Sequence, residues 1–155
     1  MTLRRYEVFA DYFQFYLRDA EVQPDPPTDY VDADLTLMVK AVPHLVVIQP
    51  VRNMTVPVEI DLLDRAPETV AKGWDQIVEA SLDLPSGRLE LMECTTGSVD
   101  TIDLPPETYR LRAHFGGLDT LSEDGLDGDD RYRISLWPAV AEPVELLQPR
   151  RSVAD

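Results

Sequence analysis

The sequence predicts an all-β fold: an antiparallel β-sandwich of about seven to nine short strands, with an open barrel as the alternative. Apolar and polar residues alternate at period two along much of the chain. Turn signals, drawn from 13 Pro and 7 Gly, interrupt that alternation every roughly 8–12 residues. No long amphipathic stripe at helical spacing competes with it.

Two interleaved sets run from Tyr6 to Leu17: Tyr6, Val8, Ala10, Tyr12, Gln14 and Tyr16 against Glu7, Phe9, Asp11, Phe13, Phe15 and Leu17. Their aromatic density predicts one strand, with the aromatics filling the core. Gln23 to Asp29 holds three prolines and reads as a loop. Asp32 to Lys40 fits either a short helix or a strand. His44 to Ile48 is a β-branched run of the buried kind. Met54 to Leu62 alternates cleanly, with Pro57 marking an edge strand or a bulge. Ile77 to Leu84 and Arg88 to Cys94 flank the turn Pro85-Ser86-Gly87 and predict a hairpin. Asp83-Leu84-Pro85 is echoed by Asp103-Leu104-Pro105, a reused turn. The strand after the second copy points Tyr109, Leu111, Ala113 and Phe115 inward, and Arg110, Arg112 and His114 outward. Tyr132 to Trp137 is the last clear strand, Val144 to Leu147 a short addition, and 150–155 a frayed tail. Residues 1–149 therefore form one expected domain. At 155 residues the chain buries roughly 68–70% of its unfolded surface without needing disulfides or a metal.

The outlying number is charge: 29 Asp and Glu against 14 Lys and Arg, a formal net of −15. Such a surface repels phosphate backbones and anionic membrane, so neither nucleic acid nor membrane is an expected partner. It attracts and steers a basic protein partner. Acidity also serves solubility alone. Cys94 is the sole cysteine, which rules out an internal disulfide and fits a reducing compartment. No signal peptide follows Arg4 and Arg5, so the expected location is cytoplasmic.

The densest charge lies between Leu118 and Asp130. Asp119, Glu123, Asp124, Asp127, Asp129 and Asp130 put six carboxylates in twelve residues. Three readings apply: a turn whose acids bond its own amides, a negative patch for a basic partner, or a calcium site built on Asp124, Asp127 and Asp129. The spacing is not that of an EF-hand. Arg110, Arg112, Arg131 and Arg133 flank the loop, and form either a cross-strand ion-pair ladder or an anion holder. His44 and His114 are too far apart for a zinc pattern and read as structural. Cys94 follows Glu93, which opposes a reactive thiolate. No nucleophile motif, dinucleotide loop or P-loop is present, so neither an enzyme nor a cofactor is expected. Pro57 at a sheet edge would leave homodimerisation open.

Asp11-Tyr12-Phe13-Gln14-Phe15, Ser81 to Leu91, and Asp103-Leu104-Pro105 followed by Tyr109-Arg110-Leu111 together resemble the competence protein J family. The Gly125-to-Asp130 loop and Leu136-Trp137-Pro138 depart from its pattern. The resemblance implies a small, acidic, cytoplasmic β-sandwich that inhibits a competence-associated nuclease, and it assigns no inhibitory residue. The charge gives the same idea a physical form. A nuclease groove is basic because it binds phosphate, and an acidic surface fills it without offering a scissile bond. A calcium- or small-ligand-binding sandwich, or an interaction protein with no catalytic role, is the alternative.

Overall fold

A period-two sequence needs a second layer to cover each apolar face, and the chain supplies it by building two sheets. The computed structural model describes residues 2–150. The first sheet has six strands in the order β1 (Thr2–Phe9), β5 (Thr55–Leu62), β10 (Arg131–Pro138), β9 (Glu107–Gly116), β6 (Gln76–Leu84) and β11 (Glu145–Gln148). The second has five, in the order β3 (Val39–Val42), β4 (Leu45–Ile48), β2 (Phe15–Asp19), β7 (Arg88–Glu93) and β8 (Gly97–Asp103). Every pairing is antiparallel except β5 with β10. The result is the expected β-sandwich, with eleven strands among the described residues. One core lies between the layers, built from Phe15, Leu17, Val46, Ile48, Ile60, Leu82, Leu89, Leu91, Leu111, Phe115 and Ile134.

The expected strand from Tyr6 to Leu17 is two strands. β1 belongs to the first sheet and β2 to the second, and Asp11–Phe13 makes the crossing as a single 3-10 turn. The inward set changes at the break: Val8 and Ala10 of one interleaved set and Phe15 and Leu17 of the other enter the same core. Asp32–Leu37 is a short helix, α1, after which β3 begins.

The expected hairpin at Pro85-Ser86-Gly87 is an arch between the two sheets. β6 pairs with β9 and β11, whereas β7 pairs with β2 and β8. Two alternating strands joined by a tight turn read identically whether they pair or face each other. The two Leu-Pro turns meet here: the Leu104 amide donates to the Gly87 carbonyl at 2.6 Å. Gly87 has φ +73, and an added Cβ would lie 2.2 Å from the Leu104 carbonyl oxygen, so only glycine fits.

Asp19 ties this arch to β2. It is fully buried and accepts the amides of Glu21, Val22 and Ser86 at 2.8, 2.9 and 2.9 Å, and the Ser86 hydroxyl at 2.8 Å. Burial pushes its carboxyl up, but these hydrogen bonds outweigh burial and hold it below the usual carboxylate range. Asp19→Ala leaves several donors without a partner. The expected cost is about 3 kcal/mol, read as a lower urea midpoint at constant slope.

Pro57 does not mark an edge. β5 lies between β1 and β10, and Pro57 precedes by one residue the point, Val58, where the parallel ladder with β10 begins. Of the tail expected at 150–155, Arg150 is described and 151–155 lie outside the described residues.

Candidate functional site

β9 and β10 deliver the 117–130 loop to one end of the first sheet. Gly117 allows its departure: at φ +64, a Cβ there would sit 2.2 Å from the Asp129 carbonyl oxygen. The loop is ordered by its own bonds. The Ser122 hydroxyl donates to Asp124 Oδ1 at 2.6 Å and accepts the Asp127 amide at 2.9 Å. Asp124 Oδ1 also accepts the Leu126 amide at 3.0 Å, and the Thr120 hydroxyl accepts the Asp129 amide at 2.8 Å. The Ser122 bond, then that from Leu126, holds the Asp124 carboxyl below its usual range.

The six acids therefore divide. Glu123, Asp127 and Asp129 are exposed. Asp124 is exposed but engaged with its own loop, and Asp119 accepts the Arg150 guanidinium at 2.9 Å. Asp130 is only 1% exposed and leaves the set that a partner can reach. It accepts Arg52 Nε at 2.8 Å and the Tyr132 hydroxyl at 2.8 Å. That hydroxyl in turn accepts the Val51 amide at 3.0 Å. Alternation could have flagged Asp130, two residues before the core residue Tyr132 and on the same strand face.

Asp124, Asp127 and Asp129, the calcium candidates considered from the sequence, all lie exposed on this loop. Among the described residues, no group of three or more His, Cys, Asp or Glu is placed to hold a metal ion. Asp124 Oδ1 is engaged by the loop amide and hydroxyl.

Arg52 also donates to the Leu126 carbonyl at 3.2 Å, locking the loop onto the 49–54 segment. The next residue, Asn53, accepts the Tyr12 amide at 2.9 Å. The acidic loop and the Asp11–Phe13 crossing turn are thus neighbours on one rim. Tyr12 and Phe13 are exposed there, against the expectation that they fill the core; Phe15 and Tyr16 do fill buried positions.

Three of the four arginines beside the loop, Arg110, Arg112 and Arg133, are ion-paired across strands. Arg110 and Arg112 are not outward-facing in the solvated sense. They are 3% and 8% exposed and share Glu79, at 3.1 Å to Oε1 and 2.7 Å to Oε2. The 139–144 segment covers Arg110, whose guanidinium donates to the Glu142 and Pro143 carbonyls at 2.9 Å each. The Trp137 ring lies 5.2 Å from the Arg112 guanidinium. Arg133 pairs with Glu59 at 3.0 Å, and Arg131 stacks 4.0 Å from the Trp74 ring centroid. A cavity of about 510 Å³ lies over this face, lined by Asp61, Asp64, Arg65 and Glu68 together with Arg112, His114 and Arg133.

His114 is 4% exposed and donates Nδ1–H to the Arg133 carbonyl at 3.2 Å. Burial, aided by the charges of Arg112 and Arg133, pushes the imidazole down to about 4. The unfolded value is about 6.5, so the folded pKa is the lower one. Stability is then held above pH 6.5 and lost as the pH falls from about 6.5 towards 4. Urea titrations at pH 7 and 4.5 should show the wild type losing about 2–3 kcal/mol more than His114→Gln.

His44 packs against the β6 end, with Nδ1 3.2 Å from the Asp83 carbonyl oxygen. Cys94 is half-buried against the small cluster of Tyr16, Leu45 and Val47. No described helix is long and apolar enough to cross a membrane.

Two solved structures share this fold. One is ComJ from Bacillus subtilis, described as an inhibitor of the DNA-degrading activity of NucA: TM-score 0.67, 15% identity, covering 90% of this chain and 96% of that one. The other is described as crocagin biosynthetic gene J: TM-score 0.57, 21% identity, covering 90% and 100%. No protein-family profile matches the chain. No curated protein is significantly similar to it. At these identities the likeness is one of fold, and the resemblance seen in the sequence extends over nine-tenths of the chain as a shared β-sandwich.

Proposed function

We propose that this protein binds a basic partner as an inhibitor or regulator, a nuclease being the partner class that fits best, and catalyses nothing itself. The observation that carries the reading is the 118–130 loop: an exposed acidic surface held in one shape by its own hydrogen bonds and by Arg52. A loop backbone ordered in advance loses little freedom when its carboxylates meet cations, so more of their attraction is kept as affinity. A net charge of −15 adds long-range steering of a cationic protein. The likeness to ComJ, whose description is inhibition of a DNA-degrading activity, supports the nuclease as partner. A cytoplasmic setting accords with the same family resemblance.

Immobilised protein exposed to a lysate of its source should retain a DNA-degrading activity, release it at moderate salt, and inhibit it stoichiometrically when added back in solution. If the lysate's nuclease activity passes unretained and is undiminished by added protein, the reading fails.

A further inference from the structure

Among the described residues, the exposed aromatic side chains sit where the chain crosses between sheets. Tyr12 is 67% exposed and Phe13 50%. Both hold left-handed backbone, with φ of 58° and 60°. That region is unfavourable for bulky residues, and it persists only where the surroundings impose it. Here they do. The Tyr12 amide donates to Asn53, the Phe13 amide donates to the Ala10 carbonyl at 3.0 Å, and the Thr95 hydroxyl donates to Asp11 Oδ2 at 2.8 Å. Strain that presents two aromatic rings to water gives folding nothing in return, since burial would be the favourable outcome. The rings stand beside an open cavity of about 350 Å³ completed by Gln14, Tyr30, Leu35 and Gln49. Leu35 and Val31 add further exposed apolar surface.

The surroundings of this patch are acidic. Asp29 and Asp32 are exposed at its α1 side, and the 118–130 loop adjoins it through Arg52 and Asn53. An apolar centre with a charged rim is the layout of an interface hot spot. We infer that Tyr12 and Phe13 are the apolar anchor of a docking surface whose rim is the acidic loop, and that its occupant is a cationic protein segment carrying an apolar side chain. The occupant follows from charge: a second copy would bring another net −15 and the same acidic rim, whereas a cationic segment complements both. This rests on the proposed binding of a basic partner and adds the surface and the side-chain class that the partner must offer.

The probes are three labelled peptides, Lys-Lys-Phe-Leu-Lys-Lys, Lys-Lys-Gly-Gly-Lys-Lys and Glu-Glu-Phe-Leu-Glu-Glu, followed by fluorescence anisotropy at low salt. The first should bind about tenfold tighter than the second, and the third not at all. Tyr12→Asn and Phe13→Asn should each abolish the preference for the first while leaving the second unchanged. Asparagine tolerates left-handed backbone, so the melting temperature should hold or rise, which separates lost contact from lost folding. Equal binding of both cationic peptides, or a preference that survives both variants, overturns the anchor and leaves the basic-partner reading standing. Binding of neither cationic peptide overturns that reading itself. A dimer in sedimentation that either variant disperses assigns the patch to a second copy and also overturns the inference.

Discussion

Glu79→Gln should destabilise the protein by about 3–5 kcal/mol, the cost of removing one partner from a buried ion cluster. The geometry makes this the largest single-residue effect on stability. Glu79 accepts two guanidinium groups, one on each carboxylate oxygen, and none of the three residues is more than 8% exposed. With the carboxylate gone, Arg110 keeps the Ser81 hydroxyl and the Glu142 and Pro143 carbonyls. The glutamine carbonyl oxygen accepts from only one of the two guanidinium groups, and beyond it Arg112 has just a long contact of 3.5 Å to the Thr69 carbonyl and the face of Trp137. Two buried cations then face each other without a counter-charge. For a domain of this size the loss corresponds to about 10–15 °C in Tm. The check is a urea titration beside a thermal scan: the midpoint should fall with the slope unchanged. A loss under about 1 kcal/mol would mean that water reaches the cluster and screens it.

That cluster also shows where sequence reading reaches its limit. The strand β9 and its inward set Tyr109, Leu111, Ala113 and Phe115 are legible from alternation alone. The opposite face of β9 is not, because its arginines look solvent-facing. They are buried because the 63–75 and 139–144 segments fold over them, and coverage by irregular chain leaves no periodic trace. The same limit explains the arch at Pro85-Ser86-Gly87. Local pattern gives two strands and a turn, while the choice between pairing and crossing depends on partners far away, β9 and β2.

At the site, composition alone gives the acidic loop but not its division. Asp130 and Asp129 are adjacent and chemically identical, yet one is buried under Arg52 while the other is exposed. Period two carried backwards from Tyr132 separates them. Arg52 and Asn53 bear no signal at all, since their role comes from bridging two loops that are distant in sequence. Tyr12 and Phe13 left a fainter mark. Both interleaved sets around them carry apolar residues, so no single inward face runs through, which a crossing between sheets resolves.

The second large effect follows from that division. Replacing the exposed acids together, Glu123→Gln with Asp127→Asn and Asp129→Asn, should leave stability within about 0.5 kcal/mol per site, because none makes an ion pair among the described residues. Affinity for the basic partner should fall at least about 100-fold, at roughly 1–1.5 kcal/mol for each charge that meets a cation. Asp130→Asn should do the reverse. It breaks the buried Arg52 pair, costs about 3 kcal/mol of stability, and weakens binding only as far as the loop loosens.

The most direct measurement is the inhibition constant against the retained DNA-degrading activity, for the wild type and the triple variant, at low and at high salt. The expected result is wild-type inhibition that weakens steeply with salt, and variant inhibition that is at least about 100-fold weaker at low salt and nearly indifferent to it. Unchanged inhibition by a folded triple variant would contradict the claim that this loop binds the partner.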